Sequence, residues 1–114
     1  FGADLLFDVR FLPNPHFDPA LRPLSGLDEP VREFLRQRTD FQELLGRLAD
    51  LLRFLLPRYQ QENRSYLTVG IGCTGGQHRS VALVEALAAE LASRLDAANW
   101  TVRVKHRDLE RLRP

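Results

Sequence analysis

Eight consecutive residues, Cys73-Thr74-Gly75-Gly76-Gln77-His78-Arg79-Ser80, place a thiol, two hydroxyls, two glycines, an imidazole and a guanidinium side by side. Leu67, Val69 and Ile71 precede them at the period-two spacing of a strand, and an Ala/Leu-rich segment follows at helical spacing. The stretch therefore reads as strand, glycine-rich loop and first helical turn. The unpaired N–H groups of such a turn, and the positive end of its dipole, face the loop and attract an oxyanion, above all a phosphate. Backbone N–H groups around Thr74, Gly75, Gly76 and Gln77, the hydroxyls of Thr74 and Ser80, the imidazole of His78 and the fork of Arg79 form one candidate set of ligand groups. Two glycines after a strand also make a plain tight turn.

A second chemistry fits the same residues. The spacing C-x-x-G-x-x-R-S resembles the loop of cysteine-dependent phosphatases. In such a loop Cys73 would be a thiolate nucleophile, stabilised by the loop dipoles and Arg79, and Asp18 would be cast as general acid. Gly72 stands where those enzymes generally carry a His before the Cys. A Cys at a strand end is also often a small buried apolar group.

The elements that must position these groups follow from pattern. Leu5–Phe11 suits a first strand, with Arg10 near its carboxyl end. Three prolines between Leu12 and Pro19 exclude regular structure and make a stiff loop that holds Asn14, His16 and Asp18 in place. Asp28 suits an N-cap with Pro30 in the first turn after it, and Val31, Phe34 and Leu35 give that short helix an apolar face. A capping-box-like pair, Asp40 and Glu43, opens the longest helix, whose apolar stripe runs from Phe41 to Tyr59, with Pro57 expected to kink or end it. The stripe serves as core or as a dimer seam. Strand 65–72, helix 79–95 and strand 100–105 make a βαβ unit. The fold expected is a small three-layer α/β domain with a short, mainly parallel sheet in the order βααβαβ. Ligands of such sheets collect beyond the carboxyl ends of the strands, where Arg10, the Asn14–Asp18 loop, the Cys73–Ser80 loop and Lys105 to Arg107 converge.

Totals set the outer bounds. At 114 residues there is room for one domain and one core. A formal charge of +1 makes no general case for nucleic acid, so any such case rests on the local cluster Arg103, Lys105, Arg107, Arg111 and Arg113. The same cluster reads equally as a solvated surface. One cysteine excludes an intrachain disulfide and is compatible with a reducing cytoplasm. No apolar run approaches the roughly 20 residues that span a bilayer. The absence of Met and the start at Phe1-Gly2 suggest a piece of a longer protein.

Phe7-Asp8-Val9-Arg10-Phe11-Leu12-Pro13-Asn14-Pro15-His16-Phe17-Asp18-Pro19 resembles the opening of the C-terminal domain of the bacterial RapZ family of RNase adapter proteins. The likeness continues through Leu21–Asp28, Asn63–Val69 and Ile71–Val81 and closes on His106–Glu110. It implies a non-enzymatic regulatory domain that needs no cofactor and no metal. Its expected ligand is glucosamine-6-phosphate or a similar phosphosugar, held by His16, Thr74, Gly75, His78 and Arg79. It also implies contact with small regulatory RNA and an RNase, and self-association. The family's Walker A loop, which belongs to a separate N-terminal domain, has no counterpart in this sequence.

Overall fold

The computed structural model describes residues 3–64, 66–73, 76–95 and 100–106. Strand β1, Leu5–Asp8, pairs in parallel with β2, Val69–Gly72, in the register Leu5 to Val69, Leu6 to Gly70, Phe7 to Ile71 and Asp8 to Gly72. The ladder continues past both ends through Asp4 N–H to Thr68 O (2.9 Å) and Val9 N–H to Gly72 O (2.9 Å). Parallel neighbours need a long crossover. Here it holds a 3-10 turn, Pro15–Phe17, then helix α1, Glu29–Arg36, and helix α2, Thr39–Gln61. Helix α3, Arg79–Arg94, follows β2 after the glycine-rich loop.

Alternation along the strands decides which face is buried. Leu5, Phe7, Val69 and Ile71 pack on a core built from Val9, Leu12, Val31, Leu35, Leu48, Ala49, Leu52 and Leu83. The opposite face carries Leu6, 67% exposed, beside Gly70 and Gly72, which have no side chains to cover it. The small α/β domain is as expected, but among the described residues the sheet is two-stranded and only its inner face is covered. The expected third strand makes no ladder: residues 100–106 carry no strand pairing, Trp100 packs on the core, and Val102 and Val104 are exposed. The order found is therefore ββ-paired across βααβα, not βααβαβ.

Other departures are local. Asp28 does stand at the N-cap of α1, but its carboxylate accepts the Ser25 N–H (2.8 Å) and not a helix amide. Helix α2 starts at Thr39, with Arg38 at the N-cap and no side-chain cap, so Asp40 and Glu43 form no capping box; Glu43 pairs with Arg47 instead. Helix α2 runs through Pro57 to Gln61, ending on Asn63 at φ 64°. Pro57 leaves the Arg53 carbonyl without its usual donor, and the exposed ring lies about one turn before the helix ends at Gln61. The α2 stripe is mainly core: Phe41, Leu48, Leu52 and Leu56 are buried.

Candidate functional site

Three consecutive side chains at the start of α3 reach back across more than fifty residues to the long loop after β1. Arg79 donates through Nη1 to the carbonyl oxygens of Arg10 and Leu12, the latter at 3.1 Å. The His78 ring nitrogen Nε2 lies 3.2 Å from Leu21 O. Gln77 Nε2 donates to Leu24 O (2.6 Å) and Arg22 O (3.2 Å), and Gln77 O accepts the Gly26 N–H (2.8 Å). The loop from Arg10 to Gly26 is thus fastened along its length to residues 77–79. The bonds to Arg10, Leu12, Arg22 and Leu24 satisfy carbonyls that the loop does not pair with its own backbone, whereas Leu21 O also accepts the Leu24 N–H (3.0 Å).

This seam is possible because Gly26 comes very close. A Cβ there would lie 2.3 Å from Ala82 N and 2.5 Å from His78 O, both main-chain atoms of the first turn of α3. On the loop side of the helix Gly76 takes φ 62°, a conformation that costs glycine nothing.

The chemistry of each group follows from its partners. A carbonyl only accepts, so in this hydrogen bond Nε2 of His78 carries the proton. His78 is buried, whereas His16 is exposed on the 3-10 turn with its ring centroid 6.5 Å from that of His78. Arg79 is 4% exposed; its Nε is buried with no hydrogen-bond partner, and no carboxylate among the described residues forms an ion pair with it. The Asp8 carboxylate is bound by Arg10, whose hydrogen bonds hold its carboxyl below the ordinary value, with a smaller contribution from the charge of Arg79. Cys73 Sγ accepts the Ser80 N–H (3.3 Å) and lies 3.2 Å from Ser80 Oγ. A hollow of about 340 Å³ opens beside it, lined by Leu6, Phe7, Asp8, Arg10, Gly72 and Cys73.

The expected residues divide into three groups. His16, Gln77, His78, Arg79 and Ser80 are brought together with Gly76 around the start of α3. Asn14, Asp18 and Arg10 stand in the same loop, with their side chains engaged locally. Asn14 Oδ1 accepts His16 N–H, Asp18 Oδ1 accepts Ala20 N–H, and Arg10 forks onto Asp8. Thr74, Gly75, Arg107, Arg111 and Arg113 lie outside the described residues. The open Arg79 fork expected from sequence is replaced by a guanidinium already held on one nitrogen by two carbonyls. Of the convergent C-terminal cations, Arg103 and Lys105 are exposed, and His106 is bound to Glu85 on α3. Gly26, Arg32 and Glu85 were not singled out by sequence; their roles depend on contacts between distant segments that periodicity does not carry.

Among the described residues no group of three or more His, Cys, Asp or Glu is placed to hold a metal ion, and no helix is long and apolar enough to cross a membrane. The family model for the RapZ C-terminal domain matches residues 1–110. A protein of Rubrobacter xylanophilus called nucleotide-binding protein is 55% identical over 108 residues, which are 95% of this chain and 35% of that protein. Proteins of the same name from Geobacter metallireducens and Anaeromyxobacter sp. are 55% and 57% identical over 109 residues, 96% of this chain and 37% and 36% of theirs. The chain thus spans little more than a third of the length of the curated relatives it matches.

Proposed function

We propose a function from one firm premise: the chain belongs to the RapZ C-terminal domain family. On our reading the domain is a regulatory sensor, not an enzyme, and its ligand is a phosphosugar such as glucosamine-6-phosphate. The ligand sits against the start of α3. One observation carries this reading: a guanidinium, that of Arg79, is buried with Nε unpartnered and, among the described residues, with no carboxylate in an ion pair with it. An uncompensated buried charge is costly, and a bound dianion at a helix N-terminus removes that cost. Gly75 and Thr74, with Gly76, would supply backbone donors, and His16 and Nδ1 of His78 would meet the sugar. With Nε2 turned to Leu21 O, the other ring nitrogen, Nδ1, would be left to meet a hydroxyl or an amine of the sugar. The name nucleotide-binding protein belongs to relatives roughly three times as long, and the Walker A pattern is missing from this segment. Nucleotide binding is therefore not assigned to it. Small regulatory RNA would meet Arg103 and Lys105, with Arg107, Arg111 and Arg113 beyond them, while RNase recruitment, self-association and a cytoplasmic setting follow from the same family reading.

Calorimetry with glucosamine-6-phosphate, N-acetylglucosamine-6-phosphate and inorganic phosphate tests the sensor. Arg79 anchors the loop, so Arg79→Ala confounds binding with folding; the exposed His16→Ala is the cleaner variant. Amine-dependent binding weakened by His16→Ala supports the reading. Equal weak binding of all three, unchanged in the variant, reduces the site to a generic phosphate nest. RNA binding through phosphates predicts affinity that falls steeply with salt, and a flat dependence counts against it.

The Cys73–Ser80 hydrogen bonds favour a second reading, a thiolate nucleophile held as in cysteine-dependent phosphatases. Asp18 is occupied by the Ala20 amide and Arg79 by carbonyls, which leaves neither free for its assigned role. Absence of aryl phosphate turnover by the parent protein removes this reading, and Cys73→Ser should abolish any turnover that is seen.

A further inference from the structure

The loop at the start of α3 is tied to a second, remote cluster. Glu85, two turns along α3, receives His106 Nε2 on one oxygen (2.7 Å) and Arg32 Nη2 on the other (3.4 Å). Arg32, from α1, also donates through Nε to Gly26 O (3.0 Å). Gly26 in turn gives its N–H to Gln77 O at 2.8 Å and packs without slack on His78 O and Ala82 N. Both polar atoms of one peptide segment are thus spoken for, one by the candidate oxyanion loop and the other by Arg32. His106, the last described residue before the C-terminal tail, is only 13% exposed in its side chain and holds the far end of this chain of bonds.

We propose that His106, through Glu85 and Arg32, is a positioning residue whose docking sets the oxyanion affinity of the Gln77–Ser80 loop. The proposal rests on the anion-site reading above and adds its regulation: the C-terminal segment and the ligand loop act on each other through Gly26. Among the described residues, the groups facing His106 are the Glu85 carboxylate from α3 and, on the other oxygen of that carboxylate, the Arg32 guanidinium from α1. A cationic His106 pairs with the Glu85 carboxylate more strongly than a neutral one, whose hydrogen bond is assisted by the carboxylate charge alone. It thereby fixes the Glu85 carboxylate, and with it Arg32 and the Gly26 carbonyl. Protonated His106 and a bound oxyanion therefore favour one another through Arg32 and Gly26. Thermodynamic reciprocity makes the two effects equal in size.

The test uses sulfate, whose charge is constant across the range, on the full 114-residue chain. Nitrogen-15 NMR follows the His106 imidazole from pH 5 to 8, with and without saturating sulfate. Calorimetry measures sulfate affinity for the parent, His106→Gln and Glu85→Gln. A coupling at the low end of the usual range, about five-fold, raises the His106 midpoint by roughly 0.7 of a pH unit in sulfate. The same coupling weakens sulfate binding by about five-fold in both variants, and in Glu85→Gln the midpoint no longer responds. The two failures are distinct. No sulfate binding by the parent overturns the anion site and this proposal together. Sulfate binding that leaves the midpoint fixed, with both folded variants binding as well as the parent, overturns the coupling alone.

Discussion

Gly26→Ala should be among the most damaging single-methyl additions in the chain. The added Cβ would lie 2.3 Å from Ala82 N, 2.5 Å from His78 O and 2.8 Å from Val81 Cβ. Two of these atoms belong to the hydrogen-bonded first turn of α3, which cannot rotate aside as a side-chain tip can. Overpacking costs roughly 1–3 kcal/mol, and a clash with helix backbone belongs at the top of that span, about 3 kcal/mol. In a domain of this size each kcal/mol moves Tm by roughly 4–8 °C, so a loss of about 12 °C or more is expected. The loop can escape only by lifting off, which breaks Gly26 N–H to Gln77 O and Arg32 to Gly26 O. Phosphate affinity should then fall with stability. Gly46→Ala is the control: in α2 the same atom meets nothing within 4 Å, and helix propensity should stabilise by about 0.5–1 kcal/mol. Thermal unfolding followed by circular dichroism, with phosphate calorimetry at a temperature where both variants are folded, decides the matter. A Gly26→Ala protein as stable as the parent would refute the seam as the reason for glycine at this position.

Three further outcomes are expected. Pro57→Ala restores a donor to α2 and should stabilise by about 1–2 kcal/mol in urea unfolding, less than the ~3 kcal/mol of a mid-helix proline because the site is near the C-terminus. Asn63→Ala should destabilise by about 1 kcal/mol, since φ 64° disfavours a Cβ without the local hydrogen bonding of asparagine, while Asn63→Gly should not. The carboxyl of Asp4 is held below its ordinary value by the Thr68 N–H and then by Arg64, and that of Asp8 by Arg10. Such depressed groups contribute stability that is present above the unfolded aspartate value of about 3.9 and lost as pH falls through the folded values. Amide exchange at Leu5 and Thr68 should therefore accelerate in acid below that point, and Asp4→Asn should remove part of the dependence.

Much of the architecture was legible because it is local. The apolar spacing of Phe41, Leu48, Leu52 and Leu56 marks α2, and that of Val81, Leu87 and Leu91 marks α3, whatever surrounds them. Leu83, fully buried, escaped because it sits beside that stripe and is covered by a neighbour that periodicity does not specify. Strand pairing was legible for Val69–Gly72 but not for Trp100–Lys105, since alternation records a suitable side-chain pattern and not the presence of a partner edge. At the candidate site the residue types mark hydrogen-bond donors but not the atoms those donors reach. Gln77, His78 and Arg79 spend donors on carbonyls of residues 10–24, a demand set by the proline-rich loop and visible only once the two segments meet.

The tether on Arg79 has a consequence for selectivity. Arginine is ordinarily a long reach on a swivel, and its freedom lets one side chain follow guests of several sizes. Here two carbonyls have already stopped the swivel, so the entropy of ordering that arm is spent when the chain folds and not when a visitor arrives. On the sensor reading, a cation so anchored would measure distance, rewarding the visitor whose negative end arrives at one depth over those that stop short.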